Sequence, residues 1–265
     1  MSDADGEAGG VKSGDPGASG RVRARKVSLA GAKGRIEAFF AGRAEKRDER
    51  NPYVSVIYQD RNPELAERRD REEKALILPK LALTPGSRVL DVGCGLGRWA
   101  DALQGKVARY VGVDFSPEMI ALARERHDAG WAEFRVLGAQ DVSAATLGVA
   151  GAFDRAIIAG VFIYMDDEDV VRCLKGLREL LAPGGLVYVR EPMAVDERLT
   201  LNGVWSEELQ QTYYAIYRTR AELGALIEEG LGAPPPEFVP LFADAGLNNR
   251  AETRQFYCII GSAAP

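Results

Sequence analysis

The sequence is poor in several residue types on which protein chemistry commonly relies. It has 1 histidine, His127, in 265 residues, which excludes His-rich metal sites, Ser-His-Asp triads and two-histidine acid/base schemes. Its 3 cysteines, Cys94, Cys173 and Cys258, are odd in number, scattered and without CxxC spacing. Neither a disulfide framework nor a zinc site is expected, no metal is called for, and free thiols suit a reducing cytoplasm. Long apolar runs are missing as well. The longest largely apolar stretch, Ala156 to Met165, falls far short of the roughly 18 residues of a membrane span, and the amino terminus lacks an apolar signal core. Excess positive charge is also absent. At a net charge of −5 the whole-molecule field repels nucleic acid and anionic membrane. The expected partner is a small molecule, with no nucleic acid and no membrane, and homodimerisation is left open.

What is present is an ordinary globular composition, 46% hydrophobic and 28% charged, in a chain long enough to bury its own core without staples. Residues 1–20 are built from Gly, Ser, Asp, Ala and Glu with almost no large apolar side chain, so they cannot repay the entropy of ordering. A disordered tail is expected over 1–28. Residues 29–84 read as a helical extension: Ile36, Phe39 and Phe40 sit among charges at helical spacing, and Glu64 to Leu81 is a charged amphipathic stretch. From about 85 to the end the pattern changes to short β-branched runs alternating with helical stretches, which signals βαβ units and a parallel sheet. The runs are Arg88–Val92, Tyr110–Asp114, Glu133–Val136, Arg155–Ala159 and Leu186–Arg190, with helices at Arg98–Leu103, Pro117–His127 and Asp167–Leu181. A helical insertion is expected at about 195–220, then a helix near Ala221–Glu229 and two strands, around Glu237–Pro240 and Gln255–Ile260.

The chemistry-bearing motif is Val89-Leu90-Asp91-Val92-Gly93-Cys94-Gly95-Leu96-Gly97: an apolar strand, an acid and three alternating glycines just before a helix. Glycine lets the main chain turn sharply and approach a ligand closely at the carboxyl end of the first strand. Asp114 follows at the tip of the next strand, where a carboxylate can accept two ribose hydroxyls. Ser116-Pro117 reads as a helix N-cap with Pro at the first helical position, which fixes Asp114 just ahead of the helix.

In these residues the chain resembles the class I S-adenosylmethionine-dependent methyltransferase family, over roughly Arg88 to Arg190 and with several motifs in order. The resemblance implies an α/β fold, Rossmann-like and doubly wound, with a mostly parallel seven-stranded sheet, here bearing a helical N-terminal extension and a helical lid. It implies S-adenosyl-L-methionine as cofactor and S-adenosyl-L-homocysteine as product. By that likeness Asp91, Gly93 and Gly95 line the amino-acid end of the cofactor, and Asp114, followed by Phe115, holds its ribose. Gly138-Ala139-Gln140-Asp141 faces the adenine, through the Ala139 backbone and Gln140 because Gly138 stands where many members carry an acid. The strand end at Ala159 passes beside the cofactor, and Leu181-Ala182-Pro183-Gly184-Gly185 turns into the fifth strand.

A nicotinamide-dependent oxidoreductase is the rival for the same turn. Its fingerprint is G-x-G-x-x-G, whereas the glycines here run G-x-G-x-G. Asp91 would repel a pyrophosphate but tolerates a sulfonium and an ammonium. A protein-binding module that keeps the fold without catalysis is the other alternative.

Methyl transfer from a sulfonium asks for positioning, exclusion of water and an unprotonated acceptor, so one histidine is no handicap. An amine of a small metabolite, of natural-product or amino-sugar type, is the expected acceptor, with O-methylation of an acidic hydroxyl or carboxylate as the alternative. Tyr164, just past the fourth strand, and Glu191, just past the fifth, are the candidate acid/base pair. Tyr53, Tyr58, Tyr213 and Tyr217 are candidate lid residues, since tyrosine combines apolar area with a polar tip.

Overall fold

The computed structural model describes residues 20–46, 53–57, 63–127, 130–149, 153–207, 209–248 and 250–261. From its amino end this chain runs through β1 (Gly20–Arg23), α1 (Lys33–Ala44), α2 (Val54–Ile57) and α3 (Pro63–Ile77). It then alternates through β2 (Arg88–Val92), α4 (Arg98–Leu103), β3 (Arg109–Asp114), α5 (Pro117–Arg126), β4 (Ala132–Val136), α6 (Ala144–Leu147), β5 (Phe153–Ala159), α7 (Asp167–Leu180) and β6 (Leu181–Ala194). After it come β7 (Leu199–Ser206), β8 (Gln211–Tyr217), α8 (Arg220–Leu231), β9 (Val239–Pro240) and β10 (Thr253–Gly261).

Seven strands make the main sheet in the order β4-β3-β2-β5-β6-β10-β9. The first five are parallel, while β10 runs antiparallel between β6 and β9. Parallel strands joined by helical crossovers are covered on both faces, so their side chains are apolar on both sides. Leu90, Val92, Val111, Val113, Ile158 and Val189 pack under α7 and α8 through Val170, Leu174, Leu177, Leu223 and Ile227. The alternate residues Val89, Tyr110, Ile157 and Tyr188 pack on the other face with Ile77, Trp99, Leu103 and Ile120. The strand order reverses between β2 and β5. Crevices at such a reversal, outside the carboxyl ends of the strands, are where open α/β sheets hold ligands.

A second sheet, β1-β7-β8, corrects two expectations. Residues 195–220 are not a helical insertion but an antiparallel hairpin, Leu199 opposite Tyr217 and Ser206 opposite Gln211. The run Thr212-Tyr213-Tyr214-Ala215-Ile216-Tyr217 is aromatic and β-branched, a composition that fits a pleated surface. Its side chains divide with period two: Tyr213, Ala215 and Tyr217 join one apolar cluster and Tyr214 and Ile216 the other. Trp205, near the hairpin tip, is 54% exposed. The disordered reading of 1–28 also fails where it can be checked, because Gly20–Arg23 pairs with β7. Arg21 and Arg23 reach Glu252, and Leu29 donates its N–H to Asp166 Oδ1 at 2.8 Å. Residues 1–19 and Tyr58 lie outside the described residues. Helix α1 lies against the hairpin, with Ile36 and Phe39 buried there. Among the described residues no helix is long and apolar enough to cross a membrane.

Two glycines in helices give opposite expectations. A Cβ on Gly176, in α7, would stand 1.7 Å from the Val142 carbonyl oxygen, while one on the exposed Gly34, in α1, meets nothing within 4 Å. Gly176→Ala should lower stability by about 1–3 kcal/mol through overpacking, and Gly34→Ala should raise it by up to about 1 kcal/mol. Urea midpoints measured on both variants check the pair of signs.

Candidate active site

The turn leaving β2 is shaped by what stands next to it. Gly93 has φ +74°, and a Cβ there would lie 2.3 Å from Val161 Cγ2. Gly97 has φ +87°, and its Cβ would lie 2.6 Å from His127 Nε2. Both positions therefore need glycine for the backbone conformation and for the approach. The N–H groups of Gly93 and Cys94 both donate to the Val113 carbonyl, at 2.8 and 3.0 Å. His127 is buried beneath the turn and stacked on Phe134.

Asp114 ends β3 as expected and ties the turn to it. Its Oδ2 accepts the Gly95 N–H and its Oδ1 the Ser116 N–H, each at 2.9 Å. Burial pushes its carboxyl up to about 6 against the pull of those two donors. Ser116 caps α5 by accepting the Met119 N–H at 3.2 Å, with Pro117 at the first helical position.

Above the carboxyl ends of the strands lies a cavity of about 740 Å³. Of the residues expected to bind a cofactor, Gly93, Gly95, Asp114, Phe115, Ala139, Gln140 and Ala159 line it. Asp91 does not. Its carboxylate accepts the Tyr110 hydroxyl on the α4 face of the sheet, and burial raises it to about 7. Of the expected lid residues, Tyr213 and Tyr217 line the cavity from β8. Tyr53 lies elsewhere, donating to Asp101 Oδ2 at 2.5 Å with Lys74 over its ring.

The candidate acid/base pair is split. Tyr164 lines the cavity with its hydroxyl 3.0 Å from that of Tyr213. Glu191 does not line it and is 1% exposed. Its Oε1 accepts the N–H groups of Val161 and Phe162 at 2.8 and 2.9 Å. Its Oε2 is buried without a hydrogen-bond partner among the described residues. Burial pushes the carboxyl from 4.5 up to about 7, opposed by the Phe162 and Val161 N–H groups. Glu191 is thus a brace for the segment after β5 and not a group in contact with the cavity.

Several lining residues carried no sequence signal of their own. Phe40, on α1, stands edge-on to both Phe115 and Tyr164, with centroids 5.3 and 5.1 Å apart. Its helical spacing with Ile36 marked only an apolar face. Arg69 and Glu73, on α3, and Arg190, on β6, also line the cavity. Glu73 Oε2 lies 2.9 Å from Arg98 Nη1, while Oε1 accepts the Tyr188 hydroxyl at 2.8 Å and faces Arg190 Nε at 3.2 Å. Burial alone would raise Glu73, but the Arg190 and Arg98 guanidiniums pull it down to about 2. Among the described residues no group of three or more His, Cys, Asp or Glu is disposed to hold a metal ion.

Comparison with known proteins fits this geometry. Residues 89–185 match the family described as a methyltransferase domain. The chain is 38% identical over 106 residues to a demethylmenaquinone methyltransferase of Thermus thermophilus, covering 39% of this chain and 46% of that one. It is 29% identical over 107 residues to a ubiquinone biosynthesis O-methyltransferase of Xanthomonas campestris pv. campestris, covering 40% and 43%. It thus spans less than half the length of these relatives. Among solved structures it superposes on Haemonchus contortus phosphoethanolamine N-methyltransferase 1, in complex with phosphoethanolamine and S-adenosylhomocysteine. The TM-score is 0.65 at 16% identity, over 88% of this chain and 49% of that one, which establishes a shared fold.

The buried Glu191 sets a pH dependence. Because its carboxyl is raised on folding, its contribution to stability is full below about pH 4.5 and is lost as pH climbs to about 7. The stability advantage of the wild type over Glu191→Gln should therefore shrink between pH 4.5 and 8 in urea titrations. An advantage that grows with pH would contradict the assignment.

Proposed function

We propose that this chain, whose residues 89–185 match a methyltransferase domain, is a class I S-adenosylmethionine-dependent methyltransferase that transfers a methyl group to an amine of a small metabolite, of natural-product or amino-sugar type. The residues present fit the cofactor. Main chain without side-chain cover at Gly93 and Gly95 stands beside the buried Asp114 carboxylate at the cavity edge. In this reading the backbone at Gly93 and Gly95 faces the amino-acid portion, Asp114 accepts the ribose hydroxyls, and Ala139, Gln140 and Phe115 flank the adenosine. S-Adenosylmethionine, when bound, supplies a methyl group on a sulfonium, transferred by in-line displacement with S-adenosylhomocysteine as product.

The observation that carries the amine reading is the Tyr164–Tyr213 hydroxyl pair on the cavity wall just past β5. A phenol oxygen there accepts an N–H and aims the nitrogen lone pair at the reacting carbon. Positioning of this kind is most of what an activated methyl donor requires. Glu191 fixes the Val161–Phe162 backbone that carries Tyr164 into place, so it is a positioning residue. The nearest imidazole is sealed under the Gly97 turn, which disfavours an aliphatic alcohol that needs a strong base. O-methylation of an acidic hydroxyl or carboxylate is the second reading, favoured by the likeness of the core to the ubiquinone biosynthesis O-methyltransferases.

Calorimetry with S-adenosylhomocysteine tests the cofactor assignment. The wild type should bind it, and Asp114→Ala should weaken binding about tenfold to a hundredfold, the worth of a hydrogen bond to a charged group. No heat of association in the wild type would overturn the reading. Tyr164→Phe should lower turnover at least about tenfold at unchanged S-adenosylhomocysteine affinity, and an unchanged rate would remove Tyr164 from the mechanism.

A further inference from the structure

The cavity is lined by guanidiniums of which methyl transfer makes no use. Arg69 on α3, Arg190 on β6 and Arg250 just before β10 all line the cavity. Glu73, which lines the cavity with them, is already engaged by Arg98, Tyr188 and Arg190. The Arg190 guanidinium is not wholly turned toward Glu73. Its Nη1 stands 3.0 Å from the position a Cβ on Gly160 would take, just past the end of β5.

Arg250 has no ion-pair partner among the described residues, and its guanidinium lies over the Tyr213 ring at 5.9 Å. That ring belongs to the tyrosine whose hydroxyl meets Tyr164, so Arg250 borders the space assigned to the acceptor. On the same wall Gln255 Oε1 is buried without a hydrogen-bond partner among the described residues. An acceptor atom left dry is a cost that a ligand N–H or O–H removes. A guanidinium in a partly desolvated cavity is stabilised most by an oxyanion, whose two oxygens match its planar fork. One small molecule bearing both groups satisfies the whole wall.

We propose that the methyl acceptor is an anionic small molecule, an amine that also carries a phosphate or carboxylate group, and that Arg250 together with Arg190 binds that oxyanion. This rests on the methyltransferase reading above and narrows its substrate class. It places the anion on the β6–β10 side and leaves the nitrogen to the tyrosine pair.

The test uses the full chain saturated with S-adenosylhomocysteine at constant ionic strength. Its melting temperature is followed with inorganic phosphate, acetate, and the matched probes phosphoethanolamine and ethanolamine. Anionic probes should stabilise the complex and ethanolamine should not, since a ligand that binds only the native state raises its stability by mass action. Arg250→Ala should weaken the anion response at least tenfold and Arg250→Lys should restore part of it. No stabilisation by any of the three anionic probes, or an undiminished response in Arg250→Ala, overturns the proposal. So does a variant that loses affinity for S-adenosylhomocysteine but not for 5′-methylthioadenosine, because the arginine then serves the cofactor's own carboxylate. Failure of the wild type to bind S-adenosylhomocysteine would bring down the underlying reading, whereas intact binding without anion preference brings down only this one.

Discussion

The cavity depends on how the end of β5 is held. Glu191 accepts two successive backbone N–H groups, from Val161 and Phe162, and so fixes the Val161 side chain where the Cβ of residue 93 would otherwise be. The Gly93 turn is then packed against a fixed wall. From its other side Asp114 holds the same turn through the Gly95 N–H. Two carboxylates on different strands thus brace a loop that has little side-chain substance of its own. Both are buried and both are raised in pKa, so each N–H bond is worth more than it would be in water, and its loss would cost correspondingly more.

A comparable constraint sets the angle of the amino-terminal layer. Asp70 and Glu73 on α3 meet Arg98 on α4 at 2.7 and 2.9 Å, and Glu73 also faces Arg190. Buried ion pairs add little net stability over an apolar contact of the same size, but removing one partner leaves an uncompensated charge that costs about 3–5 kcal/mol. They act here as a register lock. A helix held only by apolar packing could slide along the sheet, whereas one holding two arginines from two core elements has a single low-energy seat. On the opposite side Arg218 does the same for the hairpin, donating to the Phe162 and Met165 carbonyls and to Asp167.

The central sheet was legible because parallel strands buried on both faces leave continuous apolar runs, and the motif spacing put Asp114 and the glycine turn where they are found. What sequence could not supply was the facing of individual residues. In a strand covered on both sides, hydrophobicity does not reveal which face opens to a cavity, and neighbours point opposite ways. Arg190 therefore reaches the cavity while Glu191, one residue on, turns behind it. Asp91 shares the face of Val89 and finds Tyr110, not the crevice. The hairpin departs from the helical expectation because tyrosines suit a cavity cover and a pleated strand alike, and only their period-two burial separates the two. Arg69 and Arg250 reach the cavity from segments far apart in the chain, so no spacing rule connects them.

The cover and the floor of the cavity are not independent. Phe40 touches Phe115, next to Asp114, and Tyr164, just past β5. Tyr164 meets Tyr213 of the hairpin, and Phe39, next to Phe40, packs on that same ring at 5.8 Å. Helix α1 and β8 therefore share their contacts with both halves of the cavity. Any shift of α1 that opened the Phe115 side would also withdraw the ring against which Tyr164 is packed. Because closely packed aromatic rings have few alternative arrangements of similar energy, the two halves are shaped together, and the extension belongs to the site as much as the strand ends do.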